Sequence, residues 1–129
     1  MILDSSAIVA ILFDEQEAPV LAAAIGEAET LAVSAATLVE ATMVAEGRTR
    51  PGMREKLDDL LATVKPEVVA FTAEHAEIAR AAWRRFGKGR HPAKLNLGDC
   101  FAYALAEARG EPLLFKGEDF ARTDVRRAV

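Results

Sequence analysis

The stretch LNLGDCFAYALAEARG, from Leu95 to Gly110, constrains the fold more than any other part of this chain. From Cys100 to Ala106 only Tyr103 carries an obvious polar handle, so a helix here is apolar nearly all the way round. Such a helix has to lie between other layers rather than on a surface. Asn96 is placed to cap it, Asp99 falls at its third position, and Gly110 ends it. A carboxylate at the head of a buried helix is either a cap or a ligand, and the rest of the chain bears on which.

That helix belongs to an alternating pattern. Short strand-like runs (Met1 to Leu3, Leu31 to Ser34, Val68 to Phe71, Pro112 to Lys116) are separated by helical ones. The helical runs are Ser6 to Phe13, Pro19 to Glu29, Thr37 to Glu46 closed by Gly47, and Met53 to Val64. A further one, capped by Thr72, turns Ala79, Ala82, Trp83 and Phe86 inward, and GEDF after the last strand makes a turn or short helix. Gly87 to Lys94, with two glycines and Pro92, reads as a loop. Strand and helix in alternation predict an α/β fold with a parallel sheet covered by helices.

With 129 residues, 51% of them hydrophobic, the chain suits one domain with a proper core. No run approaches the roughly 18 apolar residues of a membrane span, and Met1 to Asp4 leads into structured sequence without a basic leader. A cytoplasmic protein is expected. The single Cys100 excludes an internal disulfide and a cysteine metal cluster. Lacking a histidine to activate it, Cys100 reads as a small buried residue.

The acids fall at one kind of place. Asp4 ends the first strand, Glu40 lies in the helix after the second, Asp99 opens the buried helix, and Asp119 follows the last strand by a turn. In a parallel α/β sheet these positions share the edge where ligands bind. Gathered carboxylates repel one another, and a hard divalent cation, Mg²⁺ or Mn²⁺, removes that cost while supplying chemistry at a phosphodiester. His75 and His91 are too isolated for a zinc site. Each acid also has a structural role open to it: Asp4 as a helix cap, Thr37 with Glu40 as a capping box, Asp99 as a first-turn acid, Asp119 in a turn. Ser6 is placed either to cap the first helix or to bind a ligand water.

The net charge of −4 argues against a general nucleic-acid binder, yet it is unevenly spread. No Lys or Arg precedes Arg48, whereas Arg80, Arg84, Arg85, Lys88, Arg90 and Lys94 occupy a segment with no acid. Arg84 to Lys94 is either a solvated face or a contact for a phosphate backbone, with His91 open to the same two readings.

The pieces MILDSSAIVAIL, SAATLVEATMV, GKGRHPAKLNLGDCFAYALA and PLLFKGEDFARTDV together resemble the PIN-domain ribonucleases, in particular the VapC toxins of bacterial toxin–antitoxin modules. The resemblance covers essentially the whole chain. It implies a single three-layer α/β/α PIN domain over residues 1–129, with a parallel sheet of four to five strands. It places the family's metal-site aspartates on Asp4 and Asp99, its glutamate on Glu40, its fourth acid on Asp119 and its active-site hydroxyl on Ser6. Asp124 is left without a role. The implied activity is endonucleolytic cleavage of RNA by a water activated by Mg²⁺ or Mn²⁺, in the cytoplasm, by a homodimer. Inhibition falls to a cognate VapB-type antitoxin whose C-terminal segment brings a basic residue into the acidic pocket. The charge layout agrees, since a carboxylate pocket attracts a metal or an arginine.

Two other readings compete. A receiver-type phosphoacceptor domain would use Asp4 and Lys116, but it needs an aspartate at the end of the middle strand, and VVAF runs into Thr72 instead. A non-catalytic interaction protein would use its acids as caps alone.

Overall fold

The computed structural model describes residues 1–129. The elements follow in the order β1 (Ile2–Leu3), α1 (Ser5–Leu12), α2 (Ala18–Glu27), β2 (Ala32–Ser34), α3 (Ala35–Gly47) and α4 (Met53–Val64). Then come β3 (Glu67–Val69), α5 (Ala73–Phe86), α6 (Leu97–Arg109), β4 (Leu113–Leu114) and a 3₁₀ turn at Phe120–Arg122. The strands lie in the order β3-β2-β1-β4, and every pairing is parallel. Beside β4, the C-terminal segment adds one isolated bridge, Leu113 to Arg127.

Strand alternation divides the core into two faces. Ile2, Ala32 and Leu113 join the residues of α5 and α6 in one apolar cluster. Their neighbours Leu3, Val33 and Leu114 join α1 to α4 in another. Both faces of the central strands are therefore covered, which gives the expected three-layer α/β/α architecture. The strands are shorter than the sequence pattern suggests, because Phe71 and Phe115 lie beyond the last hydrogen-bonded pairs and pack as loop residues.

α6 is enclosed as its composition demands. Gly98, Cys100 and Ala102 to Ala106 are all buried, and Gly110 closes the helix in the left-handed region at φ 62. Tyr103 spends its one polar atom on Asp124, donating its hydroxyl to Oδ1 at 2.7 Å, while Arg85 Nη1 donates to Oδ2 at 3.1 Å. Asp124 thus ties the C-terminal segment to α5 and α6. Partial burial would raise its carboxyl, but those two donors hold it below the usual range.

Two local expectations are corrected. Thr37 and Glu40 do not form a capping box: α3 begins earlier, with Ser34 Oγ accepting from the Ala36 N–H, so Thr37 is a buried third-position residue and Glu40 stands a turn further in. Trp83 does not face inward. His75, Ala79, Ala82 and Phe86 fill the buried stripe of α5, and Trp83, at its margin, stays 43% exposed with the Arg90 guanidinium 4.4 Å above its ring. The Gly87 to Lys94 loop is closed by a bridge from Gly87 to Leu95. Within it, His91 packs edge-on to Phe86 and its Nδ1 accepts from the Ala93 N–H.

The enclosure of α6 is testable. Leu105 is fully buried, so Leu105→Ala is expected to cost about 2–5 kcal/mol of unfolding free energy, read by urea denaturation; a loss under about 1 kcal/mol would contradict a closely packed middle layer.

Candidate active site

Asp4 leaves β1 in extended geometry and caps α1, its Oδ2 accepting from the Ser6 N–H at 3.0 Å. Aspartate, not Ser6, is therefore the cap. The Ser6 hydroxyl also donates to Asp4 Oδ2, at 2.5 Å, and accepts from the Lys116 N–H at 3.0 Å. That backbone donor directs the hydroxyl proton to Asp4. Both hydrogen bonds to the carboxylate fall on Oδ2, and Oδ1 is buried without a partner.

Asp99 arrives from the opposite layer. It shares a reciprocal capping box with Asn96: the Asp99 N–H donates to Asn96 Oδ1 at 2.9 Å, and the Asn96 N–H to Asp99 Oδ2 at 3.0 Å. The capping and ligand readings of both aspartates are thus compatible, since each cap uses a single oxygen. Glu40 projects from α3 across the N-terminus of α6, its carboxyl lying on Gly98 with Oε1 buried and unpaired. Asp119 stands exposed at the rim, just before the 3₁₀ turn, and its side chain makes no capping bond.

Charge couples these groups through mutual repulsion. Burial pushes the Asp4 carboxyl up to about 7, against the pull of the Ser6 donors, with Asp99 and Glu40 raising it further. Asp99 rises to about 6, through burial and then the nearby Asp119 and Glu40, despite the Asn96 N–H. Asp99 thus lies within electrostatic reach of Asp4, Glu40 and Asp119 at the edge where the strands end. Ser6 joins them. Cys100 faces the interior, its thiol pushed up to about 11 by burial and by Asp99, which makes it a poor nucleophile.

The donor set suits a hard divalent ion: it is all oxygen, and two of its oxygens are buried with nothing to bind. No group of three or more His, Cys, Asp or Glu side chains encloses a point as a ready cage. Mg²⁺ does not need one, because it is commonly held by one or two carboxylates and keeps several waters.

The basic segment is not part of this cluster. Arg85 is engaged by Asp124 and Arg90 lies over Trp83, while Arg84, Lys88 and Lys94 are exposed without ion pairs. The Lys116 ammonium is turned away from Asp4, to Glu15 and Glu17, which removes the pairing that a receiver-type site would need. Gly98 is the residue that sequence reasoning passes over. Its only signal is a glycine inside a helix, where alanine is preferred.

The PIN-domain family model matches residues 1–126. This chain belongs to the PIN-domain family. A VapC ribonuclease of Mycolicibacterium smegmatis is 50% identical over 126 residues, covering 97% of each chain. Ribonuclease VapC30 of Mycobacterium tuberculosis is 48% identical over 126 residues, covering 97% of this chain and 95% of its own. Among solved structures, VapC20 of Mycobacterium tuberculosis, described as a toxin that cleaves the sarcin–ricin loop, superposes with a TM-score of 0.75 at 17% identity, covering 96% of this chain and 95% of its own. The VapBC2 complex of Rickettsia felis, bound to a DNA fragment of its promoter, gives 0.73 at 16% identity, covering 98% and 94%. Those two likenesses concern the fold.

The raised carboxyls make stability depend on pH. Folded Asp4 holds its proton to about 7, whereas the unfolded chain releases it near 3.8, so between those values the folded state binds more protons and loses stability as pH rises. In chelator, unfolding free energy is expected to fall from pH 4 to pH 7, by at most about 1.4 kcal/mol per pH unit for one group. Asp4→Asn keeps the cap and should flatten the slope. A saturating divalent ion should restore stability to wild type at pH 7.5 but not to Asp4→Asn, by about 2.7 kcal/mol at a hundred times its dissociation constant. A pH-independent wild type, or equal rescue of both proteins, would contradict the charge arrangement.

Proposed function

We propose that this PIN domain, residues 1–129, is a Mg²⁺- or Mn²⁺-dependent endoribonuclease, the toxin of a type II toxin–antitoxin pair, working in the cytoplasm as a homodimer restrained by a VapB-type antitoxin. The observation that carries the reading is the buried, unpartnered Oδ1 of Asp4 beside Asp99. It is supported by relatives named as VapC ribonucleases at 48–50% identity. No helix is long and apolar enough to cross a membrane, in keeping with that location.

Asp4 and Asp99 would hold the ion, Asp4 through Oδ1 because Ser6 occupies Oδ2. A divalent ion held there would supply an activated water and neutralisation of the charge growing on the phosphoryl group. Ser6 orients Asp4, with its own direction set by the Lys116 N–H. Glu40 Oε1, buried and unpaired, is the oxygen free to orient the attacking water and take its proton. Asp119, at the rim, adds negative charge that deepens the cation site. Arg84, Arg85, Lys88, Arg90 and Lys94 present exposed positive charge for the phosphate backbone of RNA, with Arg84, Lys88 and Lys94 the unpaired members. An antitoxin that inserts a cation among these acids would compete with the metal for the same oxygens.

The test is cleavage of total RNA by the purified, antitoxin-free protein with Mg²⁺ or Mn²⁺, with chelator, and beside Asp99→Asn, which preserves the bond to the Asn96 N–H. Discrete fragments that need metal and disappear in the variant are expected. Equal inertness of correctly folded wild type and variant under every metal condition would overturn the assignment and favour the interaction-protein reading.

A further inference from the structure

Gly98 occupies the second position of α6, a helical site where alanine would be favoured over glycine. It is buried, and a Cβ placed there would land on the Glu40 carboxyl, meeting Oε2, Cδ and Oε1 before any other atom. Glu40 in turn leaves Oε1 buried and without a partner. A glutamate on a helix surface would ordinarily swing its carboxyl toward water. Here it lies on the α6 backbone, one residue before Asp99, at the end of a helix whose dipole favours a negative charge.

We propose that Gly98 is a positioning residue of the active site, whose missing side chain admits the Glu40 carboxylate to the cleft beside Asp99. Any larger residue evicts it. The atoms struck are the far end of a flexible side chain, not backbone, so eviction does not threaten the fold. Glu40 rotates out, α6 gains a better helix former, and the carboxylate is lost from the position beside the metal aspartates. Gly98 therefore acts on catalysis only through Glu40. The kinetic part of this inference rests on the nuclease reading; the structural part does not.

The experiment compares wild type, Gly98→Ala, Glu40→Gln and the double variant in metal-dependent RNA cleavage, with thermal unfolding and crystal structures of wild type and Gly98→Ala. In the Gly98→Ala structure the Glu40 carboxyl is expected to leave α6, while the melting temperature is unchanged or higher. Its kcat should fall by on the order of 100-fold, the scale of a misplaced reacting group, with KM little altered. The double variant should be no slower than Glu40→Gln alone, and Glu40→Asp, one methylene shorter, should recover part of the loss in the Gly98→Ala background. A Glu40 carboxyl that keeps its place on α6 in the Gly98→Ala structure overturns the proposal. So do full activity in Gly98→Ala, losses that multiply in the double variant, or unfolding of Gly98→Ala whether or not Glu40 is present. If wild type cleaves nothing, the nuclease reading fails while the crystallographic comparison still decides whether Gly98 places Glu40.

Discussion

The carboxylate of Asp4, 1% exposed at the end of the first strand, is the group around which the rest of the molecule is arranged. Burying a negative charge is costly unless it is paired, and this one is only half satisfied. Oδ2 takes the Ser6 amide and hydroxyl, which starts α1 and, through the Lys116 N–H, joins it to the segment after β4. Oδ1 takes nothing. One side of the carboxylate builds the fold and the other is left without a partner.

The same division recurs across the sheet. Asp99 closes a capping box with one oxygen and faces the other acids with its remaining valence. Capping and ligation are often treated as alternatives for a carboxylate near a helix start, but they draw on different lone pairs. The arrangement also explains why the acids can stand together at all. Raised carboxyls at Asp4 and Asp99 relieve repulsion, because each keeps its proton to a higher pH than a free aspartate does.

Much of the fold is legible in the chain. The all-apolar run from Cys100 to Ala106 demands a middle-layer helix, and alternating short strands demand a parallel sheet. Strand ends are harder to read because apolarity continues past the last ladder bond into loops, as at Phe71 and Phe115. The start of α3 is ambiguous in sequence because Ser34 and Thr37 are both good caps, and only the backbone geometry after β2 chooses Ser34. Trp83 lies off its expected face because helical periodicity does not distinguish the centre of a stripe from its margin, where His75 rather than the indole completes the buried row.

Local chemistry along the chain determined the caps at Thr72 and Asn96, which helix must be buried, and that the acids sit where strands give way to helices. Those properties depend on neighbours a few positions apart, so a one-dimensional pattern records them. Tertiary structure alone decided that the Glu40 carboxyl rests on Gly98, that Asp4 keeps one bare oxygen, and that Asp124 latches Tyr103 and Arg85. Each of these joins residues distant in sequence through distances of a few ångströms, and such distances exist only once the layers have closed on one another.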